Sequence, residues 1–396
     1  MKILLTGGCG FIGSAVVRHL LRHTDHVVIN VDKMTYAASE EALEEGLGHN
    51  RHMLIRACVT DAATMRQVFA THAPDAVMHL AAESHVDRSI DGPADFVQTN
   101  VVGTFTLLDA AREHCAGLPA ARRAAFRFHH ISTDEVFGSL GPGDSPFTED
   151  TAYDPRSPYA ATKAASDHLV RAWFHTYGLP TIVSNTANNY GPWQFPEKLI
   201  PLVTINALEG KKLPVYGDGS NCRDWLFVSD HAEALVRVLE RGVPGGTYAI
   251  SGRQPRTNLQ VVRAICAELD RLQPDPAGPR ERLIRFVTDR PGHDFRYEID
   301  PTCSEAALDW TAPHDFDTGL AKTVAWYVAN RAWWHEVRAR RYAGERLGSP
   351  GHEGAAQGEA VQAGVAQAGM VQGGVAQGGA APGQAETSDA AQGRAA

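Results

Sequence analysis

A glycine-rich turn near the start of the chain restricts the possible folds more than any other feature. The run Thr6-Gly7-Gly8-Cys9-Gly10-Phe11-Ile12-Gly13 directly follows a short apolar segment and opens a helical pattern. Its glycines permit a tight turn and a close approach of the backbone to a pyrophosphate at the helix N-terminus. Asp32 ends the next apolar segment 19 residues after Gly13, where a carboxylate can accept hydrogen bonds from an adenosine ribose. The pattern predicts a Rossmann-type unit that binds NAD rather than NADP; a glycine-rich turn without a nucleotide is the alternative.

Short apolar segments alternate with helical stretches through the first half of the chain. The segments that we interpret as strands are 2–6, 27–31, 53–56, 76–80, 126–131 and 181–184, and the longest helical stretches are 93–114 and 159–177. Near-continuous apolar strands separated by helices are typical of a parallel sheet that is covered on both faces. The first half therefore predicts an α/β fold with a doubly wound parallel sheet.

The regularity fades after about residue 188, and this change suggests the domain organisation. Later helices at 231–241, 257–272 and 317–336 alternate with short strands. We expect an NAD-binding Rossmann domain at 1–187 and a smaller α/β domain that binds the second ligand at 188–343, with some segments of the second packing back on the first. A cleft between the two would be the ligand site. From 344 to 396 the chain is rich in Gly, Ala and Gln, lacks aromatic residues and is predicted to be a disordered tail.

Composition excludes several classes of protein. The net charge of −9 argues against a nucleic-acid partner. No apolar run approaches the roughly 18–20 residues of a membrane span, so no membrane partner is expected. The six cysteines include no Cys-x-x-Cys pair and indicate reduced thiols in a cytoplasmic protein. His129 and His130 are interpreted as strand residues, because no partner has the spacing of a metal ligand, and no metal site is predicted.

Two further motifs contain side chains that could take part in a reaction. Tyr159 and Lys163 are four residues apart and share one helical face, where the ammonium would lower the pKa of the phenol and let it take a proton from a substrate hydroxyl. The run Ser132-Thr133-Asp134-Glu135-Val136-Phe137-Gly138 places two carboxylates just beyond a strand end. Such a pair supplies an acid and a base, as elimination of water requires. The alternative is that both carboxylates cap the following turn in solvent.

Seven motifs together resemble the dTDP-glucose 4,6-dehydratases, which belong to the extended short-chain dehydrogenase/reductase family. They are HLAAESHVDRS at 79–89, STDEVFG at 132–138, YAATK at 159–163, NNYGP at 188–192, FPEKLIP at 195–201, RDW at 223–225 and DRPGHD at 289–294. The similarity covers about residues 1–340 and leaves out the tail. The resemblance implies a lyase that converts dTDP-glucose to dTDP-4-keto-6-deoxyglucose and water, the first committed step of deoxysugar biosynthesis.

The resemblance also implies a role for each catalytic residue. Tyr159, helped by Thr133 and Lys163, would deprotonate the C4 hydroxyl of glucose as hydride passes to tightly bound NAD. Glu135 would then remove the C5 proton while Asp134 protonates the departing C6 hydroxyl, and hydride would return to C6. Asp134 has to be protonated for this step, and the nearby Glu135 offers a reason, since two close carboxylates resist double ionisation.

Further positions carry over from the same resemblance. The auxiliary active-site residues would be Glu197, Lys198, His231 and Tyr297. The NAD-binding residues would be Gly7, Gly10, Phe11, Ile12, Gly13, Asp32, Lys33, Met34, Thr35, Cys58, Val59, Leu80, Ala81, Ala82, Ser84, Thr99, Tyr159, Lys163 and Asn189. The nucleotide-sugar-binding residues would be Ser84, Thr133, Asn188, Lys198, Pro214, Val215, Tyr216, Arg223, Asn258, Asp289, Arg290, Pro291, Gly292 and His293. The helices at 93–114 and 159–177 would pair across a homodimer.

One departure from the family pattern concerns the cofactor. Cys58 stands where the family usually has Asp in a loop that contacts adenine, and a thiol is a poor acceptor for the adenine amine. We therefore expect weaker NAD retention, with backbone contacts of Val59 remaining. Two other functions stay open at this point: a related UDP-sugar dehydratase or nucleotide-sugar 4-epimerase, and a catalytically dead NAD-sensing or scaffolding relative.

Overall fold

Thirteen strands and thirteen helices make up the described part of the chain, residues 1–289, 292–340 and 342 of this computed structural model. The strands are β1 (Lys2–Thr6), β2 (Val27–Asp32), β3 (His52–Arg56), β4 (Ala76–His79), β5 (Arg127–Thr133), β6 (Thr181–Thr186), β7 (Asn188–Tyr190), β8 (Leu213–Tyr216), β9 (Cys222–Phe227), β10 (Thr247–Ile250), β11 (Pro255–Thr257), β12 (Ile284–Val287) and β13 (Arg296–Tyr297). The helices are α1 (Phe11–His23), α2 (Ala62–His72), α3 (Val86–Asp91), α4 (Pro93–Phe96), α5 (Gly103–Ala116), α6 (Ala120–Ala125), α7 (Pro158–Tyr177), α8 (Leu199–Leu208), α9 (Val228–Arg241), α10 (Asn258–Leu272), α11 (Thr302–Leu308), α12 (Phe316–Ala329) and α13 (Arg331–Arg340).

Seven strands form one sheet in the order β10-β6-β5-β4-β1-β2-β3, and every neighbouring pair is parallel. Its central strands β1 and β4 are mainly apolar and are buried except at Lys2, as a sheet covered on both faces requires. The strand order reverses between β1 and β4, and in such sheets the carboxyl ends at this point open a crevice for a ligand. The predicted Rossmann-type doubly wound fold is confirmed.

Two layers of helices cover this sheet. On one face α1 and α9 bury their apolar stripes, with Val16 and Leu20 packing near Leu235 and Leu239. On the other face α2, α5 and α7 contribute a second apolar cluster that includes Leu107. Each fully buried aliphatic side chain of this kind stabilises the fold by roughly 1.5–3 kcal/mol. The two layers hold the strand ends, and hence the crevice, in fixed positions.

A second group of elements follows β6. Strands β7, β9, β11 and β13 form a small sheet, and β8 pairs with β12. Helices α8, α10 and α12 pack together around an apolar cluster that contains Val203, Ile265 and Leu320. In contrast, β10 and α9 return to the large sheet. The domain division at 187/188 stays a prediction, and the predicted tail at 344–396 lies outside the described residues.

Two predicted helices differ from the observed ones. The stretch 317–336 is not one helix, because the backbone leaves helical geometry at Asn330, between α12 and α13. This break lets the buried Trp334 indole donate a hydrogen bond back to the Tyr327 carbonyl at 2.9 Å. The stretch 93–114 contains a π-helical segment, Val97–Val102, which directs Asn100 inward to bond Glu83 and Thr162. None of the described helices combines the length and apolar character that a bilayer span demands.

Candidate active site

The glycine-rich turn forms a narrow backbone cradle between β1 and α1. Gly7 has a φ of +76°, and a Cβ on it would lie 2.8 Å from the Ala81 backbone. A Cβ on Gly13 would lie 2.0 Å from the Gly7 carbonyl oxygen. Asp32 faces the turn from the end of β2, where its carboxylate accepts from the Cys9 backbone N–H at 2.9 Å. Only glycine fits at these positions, so the backbone is exposed to a ligand at the N-terminus of α1.

A first cavity of about 320 Å³ opens from this cradle along the carboxyl ends of the strands. It brings together every predicted NAD-binding residue except Met34, and it also contains Thr133, Asp134 and Glu135. Met34 lies beside the cavity, where its backbone N–H donates to the Asp32 carboxylate at 2.7 Å. Residues that are far apart in the sequence thus line one continuous space.

A second cavity of about 280 Å³ adjoins the first. The predicted residues that line it are Glu135, Asn188, Asn189, Glu197, Lys198, Pro214, Val215, Tyr216, Arg223, Asn258, His293 and Tyr297. Asp289 is not part of the lining and instead contacts the His293 ring at 2.6 Å. Gly292 does not line this cavity, and the predicted residues Arg290 and Pro291 lie outside the described residues.

The two cavities meet at a small set of shared residues. Glu135, Asn188, Asn189, Gln194, Glu197 and Lys198 line both. The carboxylate of Glu135 therefore stands where the contents of the two cavities would touch. Gln194, which lies between two of the quoted motifs, was expected from the sequence to lie near the site but not to be a reacting group.

The two adjacent carboxylates sit in a short 3-10 turn, Asp134–Phe137, directly after β5. Thr133 caps this turn, since its hydroxyl oxygen accepts from the Glu135 backbone N–H at 3.3 Å. The same hydroxyl donates to Asp134 Oδ1 at 3.2 Å, while Oδ2 has no hydrogen-bond partner among the described residues. Asp134 is only 1% exposed, so the alternative of a solvent cap is wrong for this residue.

Burial raises the pKa of the Asp134 carboxyl well above its usual value, and the neighbouring Glu135 raises it further. The direction is the one that the sequence predicted, but the larger cause is burial rather than the second carboxylate. Asp134 therefore keeps its proton at pH values where an exposed aspartate has lost it.

The expected effect of Lys163 on Tyr159 is not observed. Burial raises the pKa of the Tyr159 phenol and Glu135 adds to this, against a hydrogen bond from Thr133 that lowers it. The Lys163 ammonium donates to the Ile131 carbonyl at 2.8 Å and lies 3.4 Å from His130 Nε2. The prediction of a lowered phenol pKa is wrong here because burial raises it, and the lysine is directed to β5.

The fold places Glu197 in the site and His231 outside both cavities. His231 lines neither cavity; it is buried on α9, and neither ring nitrogen has a partner in the described part of the chain. Glu197 is held in the site by an ion pair with Arg88 at 2.7 Å and by the Tyr36 hydroxyl at 3.3 Å. The Arg88 guanidinium also stacks over the Tyr36 ring at 4.1 Å. Sequence reasoning missed both partners, although Arg88 belongs to the quoted motif at 79–89.

Comparison with known proteins agrees with this geometry. The model of the family described as GDP-mannose 4,6 dehydratase matches residues 4–323. A curated dTDP-glucose 4,6-dehydratase of Escherichia coli is 56% identical over 359 residues, which cover 88% of this chain and 99% of the relative. The chain belongs to the dTDP-glucose 4,6-dehydratase family.

Solved structures place this dehydratase among its neighbours. A dTDP-glucose 4,6-dehydratase from Streptomyces venezuelae, solved with NAD and TYD bound, is 41% identical with a TM-score of 0.78, covering 85% of this chain and 100% of that chain. A UDP-glucose 4-epimerase from Thermotoga maritima, solved with UDP-glucose, is 27% identical with a TM-score of 0.73, covering 84% and 100%. The dehydratase family thus shares its fold with epimerases, and the chemistry has to be argued from the site.

Proposed function

We propose that this protein is an NAD-dependent hydro-lyase that converts dTDP-glucose to dTDP-4-keto-6-deoxyglucose and water. The observation that carries the proposal is the pair of carboxylates at the junction of the two cavities. Asp134 is buried with a raised pKa, whereas Glu135 lines both spaces. A 4-epimerase needs no such acid–base pair, because it eliminates nothing.

The first cavity fits NAD. A Cβ at Gly13 would fill the backbone cradle, so glycine there leaves room for a pyrophosphate at the helix N-terminus. Asp32 lies where an adenosine ribose would be bound. NAD, when bound, supplies the acceptor that oxidises C4 of the sugar and the donor that later reduces C6. Its presence in the Streptomyces relative supports the same assignment here.

The first proton transfer belongs to Tyr159. Its phenol oxygen lines the first cavity beside Thr133, and it takes the proton of the C4 hydroxyl. Tyr159 would act as the phenolate, after it has released its own proton to solvent; the raised pKa makes that phenolate a strong base, and the Thr133 hydroxyl stabilises its charge by hydrogen bonding. Lys163 lines the same cavity and supplies a positive charge to the site.

Elimination then requires a base and an acid on neighbouring carbons. Glu135 removes the C5 proton, which the C4 ketone has made acidic, and the C5–C6 double bond forms as the C6–O bond breaks. Asp134 gives its proton to the departing C6 hydroxyl, which leaves as water. The buried, protonated carboxyl can do this near neutral pH because it has held its proton until that step.

The second cavity suits the nucleoside diphosphate. Arg223 is buried over the Tyr297 ring at 4.2 Å, and its guanidinium donates to the Asp294 carbonyl at 3.0 Å. The neighbouring Asp224 accepts from the Gln254 backbone N–H at 2.7 Å. A guanidinium fork at the cavity wall fits a diphosphate.

We also propose that the enzyme is a cytoplasmic homodimer. Val97, Phe105 and Tyr177 project from the π-helical segment, α5 and α7 with about half of their surface exposed. Pairing of these helices across a two-fold axis would bury them. The six cysteines are all unpaired thiols, which supports a reducing compartment.

The test is turnover of defined nucleotide sugars. Purified enzyme with NAD is incubated with dTDP-glucose or UDP-glucose, and the 4-keto-6-deoxy product is followed by its absorbance in alkali. We expect product from dTDP-glucose. Product from UDP-glucose alone would contradict the substrate assignment, and interconversion of 4-epimers without a keto product would contradict the reaction.

A further inference from the structure

A buried carboxylate lies one helical turn beyond Lys163 and has no part in the mechanism above. Asp167 on α7 is 0% exposed. Its Oδ2 accepts from the Ser132 hydroxyl at 2.8 Å, the Tyr153 hydroxyl at 2.9 Å and the Asn185 amide at 3.4 Å. A carboxylate is buried at high cost unless hydrogen bonds and a countercharge compensate for it.

The ring of His130 lies between this carboxylate and Lys163. Nε2 of His130 lies 3.1 Å from Asp167 Oδ1 and 3.4 Å from Lys163 Nζ. Burial lowers the pKa of His130 to about 4, so the imidazole is uncharged at neutral pH. The ammonium and the carboxylate are therefore the two formal charges of the cluster, with a polar ring between them.

We propose that Asp167 and His130 are positioning residues for Lys163, which keep its ammonium charged and held at the wall of the first cavity. The inference rests on the proposed function only in taking Lys163 as the cation that serves the reaction. The cluster itself is observed independently of which sugar is turned over.

Charge balance supports this arrangement. Burial lowers the pKa of Lys163 to about 8, and Asp167 opposes that shift. Although burial acts to raise the pKa of Asp167, the contacts with His130 and Lys163 hold it below its usual value, so the carboxyl stays ionised. Without that charge the lysine would lose its proton close to neutral pH.

The other titratable groups around the cluster do not replace Asp167. His79 on β4 faces His130 with ring centroids 5.3 Å apart, and burial lowers its pKa well below the usual value. Tyr153 is held neutral by burial, which raises its pKa, and Arg171 on α7 donates to the Tyr153 hydroxyl at 2.9 Å. Tyr159 lies on the cavity side with a raised pKa. Among these groups only Asp167 brings negative charge.

The pKa of Lys163 can be measured directly, because the chain contains only seven lysines. The holoenzyme is labelled with lysine carrying carbon-13 at Cε, the Lys163 signal is assigned by its loss in Lys163→Arg, and its chemical shift is followed against pH. In the unaltered enzyme we expect a midpoint near 8. In Asp167→Asn the midpoint should fall by at least about one pH unit.

The matched control is Asp230→Asn. Asp230 is another buried aspartate paired with a histidine, His314 at 2.7 Å, and it lines neither cavity. Its substitution should leave the Lys163 midpoint unchanged. An unchanged midpoint in Asp167→Asn, or an equal shift in both variants, would overturn the proposal.

A second variant decides the matter if Asp167→Asn does not fold. His130→Gln should slow NADH formation with dTDP-glucose by roughly 10- to 100-fold at unchanged KM, because the ammonium is no longer held in place. His129→Gln, at the next buried position of β5, should not. Equal rates in the two variants would refute the role of His130. Failure of the unaltered enzyme to use dTDP-glucose would instead count against the proposed function, and the titration would still test Lys163.

Discussion

Asp134 shows how one residue can be costly for the fold and necessary for the reaction. The folded chain holds its proton at pH values where the unfolded chain has released it, because burial raises the carboxyl pKa. The free energy of unfolding therefore falls as pH rises between the usual and the raised pKa. The protonated Asp134 thus supplies the acid for the reaction, but the folded protein becomes less stable as pH rises through this range.

This sign leads to a prediction for Asp134→Asn. The amide cannot ionise, so we expect the variant to be more stable than the unaltered enzyme, by more at pH 8 than at pH 5. The difference should grow by on the order of 1 kcal/mol per pH unit within that interval. Denaturant unfolding at the two pH values measures it, and a pH-independent difference would contradict the account.

Cys58 gives a second prediction at this scale. Its thiol lines the first cavity and lies 3.0 Å from the Thr60 hydroxyl. Cys58→Asp should increase NAD retention, because a carboxylate accepts from the adenine amine where a thiol does so poorly. NAD content after gel filtration measures the effect, with Cys303→Asp at an exposed position as the control. Unchanged NAD retention in Cys58→Asp would refute it.

The reacting residues could be proposed from the sequence because their motifs are local. Asp134 and Glu135 follow a strand directly, and the spacing of Tyr159 and Lys163 sets a shared helical face. The direction of the Lys163 ammonium was not predictable, because it depends on β5 carbonyls and on Asp167. The placement of His231 outside both cavities was not predictable for the same reason. A motif gives a position in the chain, whereas the packing of α9 decides which way the ring faces.

At the scale of elements, α5 and α7 carry an apolar surface that is not buried within the described residues. Phe105 packs edge-on against Trp173, with centroids 5.8 Å apart, yet stays 46% exposed. Phe105→Glu should convert the proposed homodimer to a monomer, because a charge would be buried at the interface. Light scattering measures the mass, and Phe286→Glu on the exposed side of β12 is the control. A dimer in Phe105→Glu would contradict the assignment of this surface.

Element boundaries were predictable where apolar periodicity is strong. They were not predictable where contacts of individual side chains determine the local backbone. Six of the seven strands of the large sheet agree with the sequence within a few residues, whereas β10 was not located. The sequence did not predict the break at Asn330, because the helical pattern continues through it. The inward orientation of the Trp334 side chain accompanies the separation of α12 from α13. The π-helical segment likewise depends on the inward bonds of Asn100.

For the whole molecule, the site exists only because distant segments assemble around it. The sequence predicted a cleft, but not that two cavities share Glu135, since β5, the turn after it and the segment at 194–198 are brought together by the fold. The composition of the tail at 344–396, which lies outside the described residues, predicts that it is dispensable for catalysis.

Deleting residues 344–396 should leave kcat/KM for dTDP-glucose within about twofold of the full chain. A deletion that starts at 340 is the matched control, because it also removes Tyr342, whose ring packs against Phe195 at the first cavity. That shorter chain should retain less NAD. A large loss of activity on removing 344–396 alone would contradict the prediction.

The central claim, that Asp134 and Glu135 perform the elimination, is tested most directly by rapid-mixing assays of Asp134→Asn and Glu135→Gln with dTDP-glucose. The account predicts that both variants still oxidise C4, seen as NADH absorbance, and form the 4-keto-6-deoxy product at least about 100-fold more slowly than the unaltered enzyme. Product formation at the original rate in either variant, with oxidation intact, would contradict it.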